Sequence, residues 1–133
     1  MSTLIDTNIL VYAAGADGDR SRQQAAIKAL GDYRSNGVIA VQVLAEFANV
    51  LLRKGRPIDR IRNDISVLAK TWTIVPSDTN TVLLALMAVE EYQMSFWDAM
   101  LWAVAKQRRL TTILSEDGPT GSTIGGVSYL SPF

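Results

Sequence analysis

A chain of 133 residues has the length of one domain with a real core, and 48% hydrophobic content is too high for a disordered segment. Thirteen lysines and arginines balance thirteen aspartates and glutamates, so whole-chain charge points to no polyanionic partner. Histidine and cysteine are both absent, which excludes disulfides, a Ser-His-Asp triad, a Cys-His nucleophile and an ordinary zinc site.

The first β-like run, Thr3 to Ile5, leads into a helical turn from Thr7 to Ala14. Apolar runs here are short and are broken by Asp6, Thr7 and Asn8, so neither a membrane span nor a secretory leader is expected and the chain reads as cytoplasmic. Ala25, Ala26, Ala29 and Leu30 recur at helical spacing within Ser21 to Tyr33, and Ser35-Asn36-Gly37 ends that helix. A second strand, Val38 to Val41, precedes a strongly apolar helix from Gln42 to Lys54, stopped by Gly55. A helix over Ile58 to Lys70 and a strand over Thr73 to Val75 follow. Thr79 to Tyr92 places Val82, Leu83, Leu86, Met87 and Val89 on one broad helical face. Phe96 to Gln107 is apolar almost all round and is expected to be buried. Two further strands, Thr111 to Leu114 and Val127 to Leu130, complete an alternation that predicts one domain over residues 1–133. Its expected architecture is a three-layer α/β/α sandwich around a parallel sheet.

In open parallel sheets, sites form outside the carboxyl ends of the strands, and Asp6 and Asp117 both lie at such ends. Asp6 also suits an N-cap, while its neighbours Thr7 and Asn8 crowd further oxygens around it. Glu46 is flanked by Val43, Leu44, Ala45, Phe47 and Ala48, where an unpaired carboxylate is costly. It needs an arginine, a set of hydrogen bonds or a metal. Asp98 fits a capping box opened by Ser95, yet Trp97, Met100, Leu101 and Trp102 bracket it in a potential pocket. Asp117 ends Leu114-Ser115-Glu116-Asp117, beside the hydroxyl of Ser115 and a second acid, Glu116, that reads as a solvated turn residue. Oxygen donors without imidazole or thiolate suit a hard divalent cation, and hydrolysis without histidine calls for metal-activated water. Two basic groups accompany the acids. Arg53, Lys54, Arg56, Arg60 and Arg62 form one, and Lys106, Arg108 and Arg109 the other; each reads as a solvated face or a phosphate-binding surface.

Four stretches carry a family resemblance: Leu4-Ile5-Asp6-Thr7-Asn8-Ile9-Leu10, Val43-Leu44-Ala45-Glu46-Phe47, Met94-Ser95-Phe96-Trp97-Asp98-Ala99 and Leu114-Ser115-Glu116-Asp117. In order and spacing they resemble the PIN domain, more closely the VapC-type ribonuclease toxins of toxin–antitoxin pairs. The resemblance implies a five-stranded sheet of order 3-2-1-4-5 and cleavage of single-stranded or loop RNA, transfer or ribosomal. It implies Mg²⁺ or Mn²⁺ held by Asp6, Asp98 and Asp117, with Glu46 as ligand or as orienting base, and Thr7, Asn8 and Ser115 in support. A cognate antitoxin and a homodimer are implied as partners. Gly118-Pro119-Thr120-Gly121 departs from the usual continuation of the last motif, so Glu116 stands as an alternative to Asp117. A PIN-like module that binds RNA or protein without cutting is the competing reading. An aspartyl-phosphate phosphatase is disfavoured, because Thr7 and Asn8 follow Asp6 where an Asp-x-Asp is required.

Overall fold

Every residue of the strand β1 (Thr3–Ile5) is buried, as is every residue of β2 (Gly37–Ala40). Continuous apolar strands of this kind belong in the middle of a parallel sheet covered on both faces. The structure is a computed structural model and describes residues 2–133. In it β1 lies between β2 and β4 (Thr112–Leu114), β3 (Thr73–Val75) lies outside β2, and β6 (Val127–Leu130) lies beside β4. All four of these pairings are parallel. The five strands expected from the sequence therefore take the expected 3-2-1-4-5 order, with β6 as the fifth.

A sixth strand extends that sheet. β5 (Thr123–Ile124) pairs antiparallel with β6, Ile124 opposite Val127, so Gly125 and Gly126 form a two-residue turn. Both glycines have positive φ, +54° and +87°, the requirement of a type I′ hairpin turn. The other departure is one residue long. Val41 opens a helix instead of ending β2, because Ala40 is extended and the strand runs into the helix with no loop between them.

Among the described residues six helices flank the sheet: α1 (Thr7–Ala13), α2 (Arg20–Asp32), α3 (Val41–Arg53), α4 (Ile58–Thr71), α5 (Thr79–Tyr92) and α6 (Phe96–Gln107). α1 packs on α2 and α3, α3 packs on α4, and α5 pairs closely with α6. Ile5, Ile39, Ile113 and Val127 from the sheet are fully buried, and the α6 run from Ala99 to Ala105 is buried as well. α5 behaves differently from its apolar pattern. It buries Thr81, Ala85 and Ala88 against its neighbour and turns Leu83 (60% exposed), Leu86 and Met87 outward. Among the described residues no helix is long and apolar enough to cross a membrane.

Candidate active site

Asp6 caps the N-terminus of α1 from the carboxyl end of β1: its Oδ1 accepts the Thr7 N–H at 2.7 Å. Its Oδ2 accepts the Ser115 hydroxyl, also at 2.7 Å, from the carboxyl end of the adjacent strand β4. A cap alone would leave that second oxygen in water. Here both oxygens are held, and the carboxyl group is half-buried. Burial pushes the Asp6 carboxyl up to about 6; the Ser115 and Thr7 hydrogen bonds oppose that shift, and the charges of Glu46 and Asp98 add to it. A group pushed in that direction is short of positive charge.

Ser115, itself only 1% exposed, joins the two strand ends. Its oxygen accepts from the Asp117 N–H at 3.1 Å and from Asn8 Nδ2 at 3.3 Å while its hydroxyl donates to Asp6. Asn8 Nδ2 also donates to Asp117 Oδ2 at 3.1 Å, and Asn8 Oδ1 accepts the Glu116 N–H at 3.2 Å. The segment carrying Asp117 is therefore tied down by the residues beside Asp6, although the Asp117 side chain is exposed.

Thr7 links Asp6 to α3 by donating its hydroxyl to Glu46 Oε2 at 2.8 Å. Gln42, one turn earlier, donates to Glu46 Oε1 at 2.9 Å. Of the partners an acid at this position demands, the hydrogen bonds are present and the arginine is not. The ion pairs among the described residues leave out Asp6, Glu46 and Asp98 alike. Asp98 sits in the first turn of α6, its N–H donating to the Ser95 cap at 3.4 Å. With Asp6, Ser115 and Tyr129 it lines a cavity of about 270 Å³. Glu46 faces a separate groove of about 720 Å³ with Trp97, Val41 and Met100, where Trp97 is 62% exposed.

The four acids thus occupy one neighbourhood without forming a finished cage. Among the described residues no three of them converge on a point where an ion would be fully held. Glu116, the alternative to Asp117, is already engaged: it pairs with Arg22 and accepts the Tyr12 hydroxyl at 2.7 Å. That hydrogen bond to Glu116, with burial, pushes the Tyr12 phenol up to about 12. Arg22 in turn lies over the rings of Tyr12 and Phe133, 5.4 and 4.8 Å from their centroids.

The basic groups divide as well. Arg56 donates to the Ala14 carbonyl and Arg62 meets Asp59, while Arg53, Lys54 and Arg60 are exposed. Lys106 donates to the Gly125 carbonyl at 2.6 Å and so braces the β5–β6 turn. Sequence reasoning passed over Gln42 and Tyr129. Gln42 is placed one helical turn from Glu46, a signal available in advance; Tyr129 reads as an ordinary buried strand residue and offers none.

The sequence profile of the PIN domain matches residues 3–118, most of the chain and all four acids. No curated protein sequence matches. Among solved structures, a toxin–antitoxin complex from Klebsiella pneumoniae is similar with a TM-score of 0.74 at 20% identity, over 99% of this chain and 98% of that one. VapC20 of Mycobacterium tuberculosis, described as a sarcin–ricin loop cleaving toxin, is similar with a TM-score of 0.74 at 20% identity, over 89% and 92% of the two chains. VapBC2 of Rickettsia felis, bound to a fragment of promoter DNA, gives 0.69 at 16% identity over 98% of both chains. At such identities the likeness is one of fold, and the profile carries the assignment: the chain belongs to the PIN domain family.

Proposed function

We propose that the protein is a divalent-metal-dependent endoribonuclease acting on single-stranded or loop RNA, transfer or ribosomal, and the toxin of a type II toxin–antitoxin pair. The observation that carries this reading is Asp6, held by Thr7 and Ser115, flanked by Glu46 and Asp98, and paired with no cation among the described residues. An all-oxygen donor set starved of positive charge fits Mg²⁺ or Mn²⁺. Mg²⁺ keeps several of its waters, so a preformed protein cage is not required. Asp6, Asp98 and Asp117 would hold the ion, with Glu46 as a further ligand or as the base that orients water. Such an ion lowers the pKa of bound water and offsets charge on the leaving oxygen.

The chain's own residues supply the rest. Ser115 and Thr7 fix both Asp6 oxygens, Asn8 holds the Asp117 side chain, and Gln42 with Thr7 fixes both Glu46 oxygens. Exposed Trp97, on the rim of the groove that Glu46 lines, offers a face on which an unpaired base can stack, which favours single-stranded or loop substrates. Exposed Arg53, Lys54 and Arg60 suit the phosphate backbone. The descriptions of VapC20 and of the Klebsiella complex favour an RNA target and an antitoxin partner. An antitoxin segment filling the Trp97 groove and placing an arginine or lysine on Glu46 or Asp98 would block substrate and metal together. A second copy of the chain is the partner proposed for the outward apolar faces of α4 and α5.

The deciding experiment incubates total RNA with the protein and Mg²⁺ or Mn²⁺, beside Asp98→Asn from the same preparation. Discrete fragments that vanish with EDTA, and fall at least about a hundredfold in the variant, are expected. The second reading is a PIN-like module that binds RNA or protein without cutting, and the presence of all four acids argues against it. Absence of cleavage by folded, metal-supplied, antitoxin-free protein would overturn the nuclease reading and shift the choice to the binding module.

A further inference from the structure

Tyr129 lies in β6 opposite Ile113 and is 4% exposed. Its hydroxyl is buried and has no hydrogen-bond partner among the described residues. A buried hydroxyl without an acceptor is a net cost, and a phenylalanine of the same shape would avoid it. The residue is nonetheless placed where a donor has a use, since it lines the same cavity as Asp6, Asp98 and Ser115. The charged groups that share this cavity with it are the carboxylates of Asp98 and Asp6. The Asp6 oxygens already accept from Thr7 and Ser115, whereas no hydrogen bond reaches the Asp98 carboxylate among the described residues.

The same side chain also seats the loop that follows Asp117. A Cβ on Gly118 would fall 2.4 Å from Tyr129 Cδ2, so the Gly118 backbone rests directly on the ring. The Tyr129 backbone closes the loop from the other side. Its carbonyl accepts the Gly121 N–H at 2.9 Å and its N–H donates to the Ser122 carbonyl at 3.0 Å. The departure at Gly118-Pro119-Thr120-Gly121 and the tyrosine thus form one unit.

Building on the nuclease reading above, we propose that Tyr129 is a positioning residue of the acidic site, its hydroxyl donating to the Asp98 carboxylate when that acid engages a divalent cation. A donor behind a ligating carboxylate fixes which oxygen faces the ion. Losing such a partner typically weakens metal binding by roughly 10–100-fold.

Tyr129→Phe keeps the ring under Gly118 and removes only the oxygen. Thermal melts of wild type and variant, each titrated with Mn²⁺ alone, read both roles at once. The metal-free variant is expected to melt at or above the wild-type temperature, while the Mn²⁺ concentration at half-maximal shift rises about tenfold or more. Equal Mn²⁺ midpoints overturn the proposal, as does a lower metal-free melting temperature with an unchanged midpoint, which would make the tyrosine a packing residue. A wild type that does not respond to Mn²⁺ overturns the nuclease reading itself and the tyrosine's role with it.

Discussion

Asp6 is costly to the metal-free fold, and under the proposed reading a bound cation would offset that cost. Its carboxyl titrates near 6 in the folded protein against 3.8 for an unperturbed aspartate. Well below 3.8 the group is protonated in both the folded and unfolded chain, and well above about 6 it is charged in both. Between those values the folded state binds the extra proton, so this residue's contribution to stability falls as pH rises. A rise of about two units corresponds to on the order of 3 kcal/mol at neutral pH. Asp6→Asn should therefore melt higher than the metal-free wild type at pH 7.5, with the difference closing towards pH 4. It should also lose most of the Mn²⁺-dependent stabilisation. Melting curves of both proteins across that pH range, with and without Mn²⁺, check both statements.

Among the elements, α5 repays attention because its pattern and its packing disagree. The periodicity of Val82, Leu83, Leu86 and Met87 predicts an apolar face, and the helix has one, but α6 is approached through Ala85 and Ala88. Small residues let two backbones come close, and a helix with two apolar faces gives no sign in sequence of which one is covered. Ala88→Leu is expected to cost about 1–3 kcal/mol by overpacking that seam, and Leu83→Ala to change stability by less than about 0.5 kcal/mol; urea denaturation of each measures it. Elsewhere the elements were legible. Short, mostly apolar runs marked β1, β2 and β4, and the expected caps Asp6 and Ser95 hold the first turns of their helices, whereas the caps Asp19 and Asp78 emerge only from the structure. β5 escaped because two residues carry no alternation, although Gly125-Gly126 announced its turn. Of the site, the acids could be read from strand ends and from the charge inside an apolar helix. The bridging by Thr7, Asn8 and Ser115 required knowing that β1 and β4 are neighbours. Tyr129 was illegible because nothing in the chain distinguishes it from an ordinary buried strand residue.

At the scale of the whole molecule, polar chemistry gathers at the carboxyl ends of β1 and β4, while α4 and α5 keep Ile58, Val67, Leu83 and Leu86 on the surface. The second copy proposed as a partner would cover these side chains. Sedimentation at micromolar concentration is expected to give a dimer, and Leu83→Glu with Leu86→Glu to shift it to monomer; a wild-type monomer across that range would remove the second copy from the proposed partners. The folding topology has a temporal side as well. The Ser115–Asp6 hydrogen bond spans 109 positions of the chain, and the strand beneath Ser115 enters only after all six helices have been made. A polypeptide halted on the ribosome before β4 already contains Asp6, Glu46 and Asp98, yet it lacks the hydroxyl that holds Asp6 and the strand that brings Asp117. Under the proposed nuclease reading, partial translation products should therefore be inert, and activity would arise only when synthesis is nearly finished.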